Sequence, residues 1–273
     1  MIFPSSQPHV STTKLAILFL IALLLFSAIR WDSESWLRGE LDAALAEQQI
    51  DLHYEGLQLH WNGLELSHVQ MASPALNKPL LLDQLNMSLN FASLLQAQLA
   101  ANIHSQNDFM AVDALLAQQD DAIQITQIDA ICDVHAAQTW LALPALAQLS
   151  GHLQINGDLT LNSMTGLPQA GELTAHWLTA AANMMHQAYP LGDYTLQATI
   201  KEQTMPWNLV GGKELAANGQ GKINMASPNP QSWGLTGEIH IQAQPGNPLA
   251  AFLSNSKKQL RLSGTIKQPV VQM

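Results

Sequence analysis

The decapeptide LQLHWNGLEL, residues 57–66, alternates apolar and polar side chains on both sides of Asn62-Gly63. Leu57, Leu59 and Trp61 alternate with Gln58 and His60, and Leu64 and Leu66 flank Glu65. A period of two sends successive side chains to opposite faces of a strand. Asn-Gly tolerates the left-handed backbone of a tight hairpin better than other pairs. The stretch therefore predicts two half-buried strands joined at Trp61-Asn62-Gly63.

Working outward, the same alternation recurs along the chain. Leu80–Phe91 carries it with one register slip, a helical turn follows at Ala92–Gln98, and Leu99–His104 resumes it. In Ala122–Val134 it runs through Ile123 and Ile125, then Ile128, Ala130 and Cys132 after a slip that a bulge would supply. A second hairpin is expected at Asn156-Gly157, pairing Gly151–Ile155 with Asp158–Asn162. Gly171–Leu178, Gly192–Ile200, Gly219–Met225, Trp233–Ala243 and Gln259–Ile266 read as further strands. Gly211-Gly212, Gly219-Gln-Gly221 and Ser227–Pro230 read as turns between them.

Helical periodicity is confined to a few places. Trp36–Gln49 spaces Trp36, Leu37, Leu41, Ala44, Leu45 and Gln48 at i, i+4 and i+8, as an amphipathic helix with Ser33 or Ser35 as cap. Pro248–Ser254 is a short helix capped by Asn247. Ala136–Leu149 is either a helix broken by Pro144 or an apolar crossover between two halves. The fold class that follows is mainly β: a curved antiparallel meander with a few short helices behind an N-terminal transmembrane helix.

That helix is Leu15–Ile29, free of charge between Lys14 and Arg30. Leu15, Leu18, Phe19, Leu23, Phe26 and Ile29 supply its apolar surface, with Trp31 at the interface. Cuts after Ala28 or Ser27 would leave Phe26 or Leu25 three positions back, where a cleavage site needs a small residue. An uncleaved anchor is the better reading. The organisation is then a cytoplasmic tail at 1–14, an anchor at 15–31, a β-rich lobe at 32–135 led by the amphipathic helix, a crossover at 136–150 and a second β-rich lobe at 151–273.

The chain has a net charge of −10, eleven Lys and Arg, and no basic run, so nothing in it suits a phosphate backbone or an anionic lipid surface. Only 12% of its residues are charged, against about 25% in ordinary domains. One cysteine, Cys132, sits in an apolar alternation and reads as a buried, unreactive thiol. The ten histidines show no HExxH or HxH spacing and fall mostly on the polar sides of strands. There is no GxSxG, and no glycine-rich loop leads from a strand into a helix. Asp120-Asp121 points its carboxylates to opposite faces if extended. These readings assign no catalytic, cofactor or metal residue and leave a non-enzymatic protein that works through binding surfaces.

Trp177, the strand start Leu191-Gly192-Asp193-Tyr194, Gly211-Gly212, Gly219 and the run Trp233–Ile239 form one set, with GNPLAAFLSNSKKQLRLSGTIKQP at 246–269 closing the chain. This set resembles the second half of the type II secretion system inner-membrane protein N family. Residues 36–72, from WLRGELDAALAEQQ to SHVQMA, resemble the front of that family and, more loosely, the AsmA-like proteins. The resemblance implies a single-pass inner-membrane protein with its β domain in the periplasm, acting as an accessory subunit of the secretion machinery. Its implied partners are other inner-membrane subunits and the outer-membrane secretin, met through free strand edges. The alternative is an AsmA-like carrier that holds lipid along a curved sheet.

Overall fold

The computed structural model describes residues 35–43, 51–72, 78–94, 98–119, 121–140, 148–184, 187–227, 229–245, 250 and 257–272. The anchor Leu15–Ile29 with Trp31, the tail before it, Asp120 and all but Ala250 of the helix read at Pro248–Ser254 lie outside the described residues. Among the described residues no helix is long and apolar enough to cross a membrane.

Among the described residues fifteen strands form one curved sheet in which every pairing is antiparallel. In the first half they are β1 (Asp51–His53), β2 (Gly56–His60), β3 (Gly63–Ala72), β4 (Leu80–Leu89), β5 (Leu99–Asn107), β6 (Met110–Gln119) and β7 (Ala122–Asp133). The second half contributes β8 (Gln148–Asn162), β9 (Pro168–Met184), β10 (Gln187–Lys201), β11 (Thr204–Gly211), β12 (Leu215–Asn224), β13 (Gly234–Ala243), β14 (Lys257–Gly264) and β15 (Pro269–Gln272). From β3 onward each strand pairs with the next in sequence. β1 and β2 both pair with β3 and act as one edge strand broken at Tyr54-Glu55. Helix α1 spans 35–43, α2 Phe91–Leu94 and α3 Val134–Trp140. The Asp133 carboxylate caps α3 by accepting from the Ala136 amide at 2.9 Å.

The hairpin at Asn62-Gly63 forms as its residues predict, pairing His60 with Gly63, Leu59 with Leu64 and Leu57 with Leu66. Asn156-Gly157 does not turn. It lies in the middle of β8, where Asn156 pairs with Asp129 and Thr174, and Gly157 with Ile128 and Leu173. The reason is register. A two-residue turn there would set Ile155 opposite Asp158 and Leu153 opposite Thr160, throwing Leu159 and Leu161 onto the other face. As one strand, Leu153, Ile155, Leu159 and Leu161 keep a single face. Gly219 and Gly221, also read as a turn, are likewise interior to β12.

β6, β11 and β15 have no counterpart in the sequence reading. β6, MAVDALLAQQ, is built of residues that favour helices, and its neighbours β5 and β7 override that preference. β11 contains Pro206, which argues against an interior strand. The ladder to β10 lapses at Met205 and Pro206, while both stay paired with β12 through Ile223 and Lys222. Across residues 136–150, α3 leads toward β8, and β7 pairs with β8 from Ala122↔Asn162 to Asp133↔His152. The sheet therefore continues past the crossover.

Two creases curve the sheet. One crosses β8, β9 and β10 at Gly151 (φ 116°), Thr179 (φ 50°) and Gly192 (φ 101°), where the β8–β9 and β9–β10 ladders slip. Asp193 braces it, its carboxylate accepting from the Thr179 amide at 2.6 Å. Beyond this crease Ala180, Ala182 and Leu191 fold back onto Tyr194 and Trp177 as a buried lip. The second crease passes through Gln127 (φ 54°) in β7, where the expected slip occurs and Asp158 accepts from the Gln127 amide at 2.9 Å.

Candidate functional site

Tracing paired residues from strand to strand shows what the alternation builds. One row starts at Leu57 and passes through Leu66, Leu85, Ser105, Val112 and Ala130. It continues through Ile155, Ala175, Leu196, Leu209, Gly219, Ile239 and Leu260. Directly paired residues share a face, so this row runs from β2 to β14 with the buried Ser105 as its one polar side chain. At about 4.8 Å between strands it is roughly 60 Å long.

The adjacent row, on the opposite face, contains no apolar side chain. It runs Gln58, Glu65, Asn86, His104, Asp113, Asp129 and Asn156. Thr174, Gln197, Asn208, Gln220, Glu238, Arg261 and Gln272 complete it. Three pairs of its members are in contact. His104 Nδ1 and Asp113 Oδ1 are 2.7 Å apart, Asn156 donates to Asp129 at 3.0 Å, and Arg261 stands 3.5 Å from Glu238. This face is built for water.

Two more rows extend the apolar face. Ile128, Gly157, Leu173, Ala198, Trp207, Gly221, Gly237, Leu262 and Val271 lie to one side. Met110, Cys132, Leu153, Trp177, Tyr194, Gly211, Ala217, Ile241 and Lys258 lie to the other. Lys258, at the β14 end, is the sole charged residue in these three rows.

Coverage of the face is uneven. At the β2 end Leu37 and Leu41 of α1 pack on the cluster Leu57, Leu66, Val69 and Leu82 and close it off. Trp36 of the expected stripe is exposed, and Ala44, Leu45 and Gln48 lie outside the described residues. Near the first crease the lip covers Tyr194. Between these ends Ile155, Leu209 and Ile239 are half-buried and Leu196 is 37% exposed. A packed core would bury such residues almost completely. The middle of the apolar face is an open surface.

Several expected residues take definite places. Cys132 lies on the apolar face and is half-buried; burial pushes its thiol up, and the Asp133 carboxylate adds to this. His104, His176 and His240 lie on the polar face, paired with Asp113, Thr195 and Asn218. Among the described residues no three His, Cys, Asp or Glu side chains gather where a metal could bind. Trp61, expected to share its strand's apolar face, sits in the turn at 86% exposure and stacks on Phe91 at 5.5 Å. Trp207 lies on two glycines from strands 14 and 30 residues farther along the chain, and only the registers bring them together.

Compared with known proteins, the chain matches no family model, no curated protein and no solved structure.

Proposed function

We propose that this chain is a non-enzymatic protein of the bacterial envelope, anchored through Leu15–Ile29 in the inner membrane, that holds acyl chains on the open apolar face of its periplasmic sheet. The observation that carries the reading is the row from Leu57 to Leu260, apolar but for the buried Ser105, partly exposed along its middle and backed by a wholly polar row. An open apolar strip of this length is costly in water, and an occupant made of hydrocarbon removes the cost without requiring matched hydrogen bonds. Its length, roughly 60 Å, is about four times the depth of one lipid leaflet, half of a 30 Å hydrocarbon core. More than one acyl chain can lie along it.

Photo-crosslinking in living cells tests this. A benzophenone amino acid at Leu196 samples the apolar face, and one at Gln197 the polar face. Lipid adducts at position 196 and none at 197 are expected. Equal labelling, or none at either position, would reject the reading.

A second reading, an accessory subunit of the type II secretion machinery, is favoured by the edge strand β15, whose four residues are all exposed. An unprotected edge of this kind can take a strand from a partner subunit. The same crosslinker at Val270 would then capture an inner-membrane subunit or the secretin, and an adduct-free Val270 would count against it.

A further inference from the structure

Trp207 is 8% exposed, and its Nε1 is sealed from solvent without a hydrogen-bond partner. The contrast with its neighbours is sharp. Trp177 Nε1 donates to the Ser150 carbonyl at 3.1 Å, and Trp233 Nε1 to the Ser227 carbonyl at 2.7 Å. A buried indole N–H normally finds an acceptor, so the orphan calls for an explanation.

The surroundings supply one. The Trp207 ring lies across β12 and β13 on a floor without side chains, because any Cβ at Gly221 or Gly237 would overlap its six-membered ring. The row it shares on the apolar face, Leu173, Ala198 and Leu262, offers no side-chain oxygen. The sheet therefore holds a donor inside an apolar strip and provides nothing of its own to accept from it.

We propose that Trp207 Nε1 is the polar subsite of the groove and donates to the ester carbonyl of a bound acyl lipid. This rests on the lipid-holding reading of the apolar face and names the linkage it selects. A neutral carbonyl suits the position. A phosphate brought here would be buried beside no cation of the row, and plain hydrocarbon would leave the donor unmet. An ester carbonyl sits where the hydrocarbon of a lipid ends, so the contact also sets how far the chains slide along the strip.

The test uses the full-length chain in alkyl maltoside micelles, which carry no carbonyl. It is titrated with diacyl phosphatidylglycerol and with its ether-linked dialkyl counterpart, identical in charge and chain length. The wild-type protein is expected to bind the ester form about tenfold more tightly, the size of one net hydrogen bond. Trp207→Phe, which keeps the ring and loses the donor, should bind both forms equally, at the affinity of the ether form. A second readout needs no variant to be stable: the indole N–H resonance of Trp207 should move downfield with the ester lipid and stay in place with the ether lipid. Equal wild-type binding of the two lipids, or an unmoved resonance, would overturn the subsite while leaving the groove. Binding of neither lipid would overturn both.

Discussion

The Tyr54 hydroxyl donates to Oδ1 of Asp42 at 2.9 Å, with the Arg38 guanidinium 5.2 Å above the Tyr54 ring. Asp42 and Arg38 belong to α1, and Tyr54 sits in the break between β1 and β2. The pair thus ties the helix that closes the apolar face to the edge of the sheet. Burial raises the Tyr54 hydroxyl above its usual range, and the bond to Asp42 and its charge raise it further. Tyr54→Phe should loosen α1 by about 0.5–1 kcal/mol, a single exposed hydrogen bond. Amide exchange at Leu37 and Leu41 would speed up several-fold, and unchanged exchange would mean that the apolar contacts alone seat the helix.

Tyr194 should be the last phenol to ionise. Burial, followed by the Glu214 carboxylate, pushes it up to about 12, and its hydroxyl donates to the Leu215 carbonyl at 2.7 Å. A folded value above the unfolded one near 10 makes its contribution complete below about pH 10 and lost as pH rises through about 12. A spectrophotometric titration of the three tyrosines should show one late step, absent from Tyr194→Phe. A wild-type curve without that step would contradict the burial of this hydroxyl.

Gly157→Ala tests the close approach of β8 to β9. In the sheet a Cβ at this position overlaps the Glu172 carbonyl on β9, so the substitution should cost about 1–3 kcal/mol. Thermal unfolding measures it. A variant that melts with the wild type would be incompatible with that close approach.

Cys132 should alkylate slowly at neutral pH and faster as pH rises, because its thiol is raised and the thiolate is the reactive form. A cysteine placed at Ile131, 47% exposed on the opposite face, gives the fast reference in a Cys132→Ser background. Equal rates for the two thiols would place Cys132 in free solvent.

The chemistry of single strands is written locally. Apolar residues two apart mark Leu57–Leu59, Ile128–Cys132 and Ile239–Ile241 as two-faced strands, and Asn62-Gly63 marks a turn whose two arms agree in phase. Phase also distinguishes the second Asn-Gly pair, because Leu153, Ile155, Leu159 and Leu161 remain in step through it. Turn propensity without phase misleads there. β6 and β11 were illegible for another reason: their own residues prefer other structures, and neighbouring ladders recruit them.

By itself the sequence of this protein determined an antiparallel, mainly β chain with one apolar and one polar side to most strands, and the absence of a recognisable catalytic pattern. Only the tertiary structure decided that those sides align into one apolar row of roughly 60 Å, that its middle stays open, and that Trp207 lies on Gly221 and Gly237. The physical reason is that alternation is a property of consecutive residues. A row across a sheet depends on the register of every ladder it crosses, and each register is set by the packing of strands far apart in the chain.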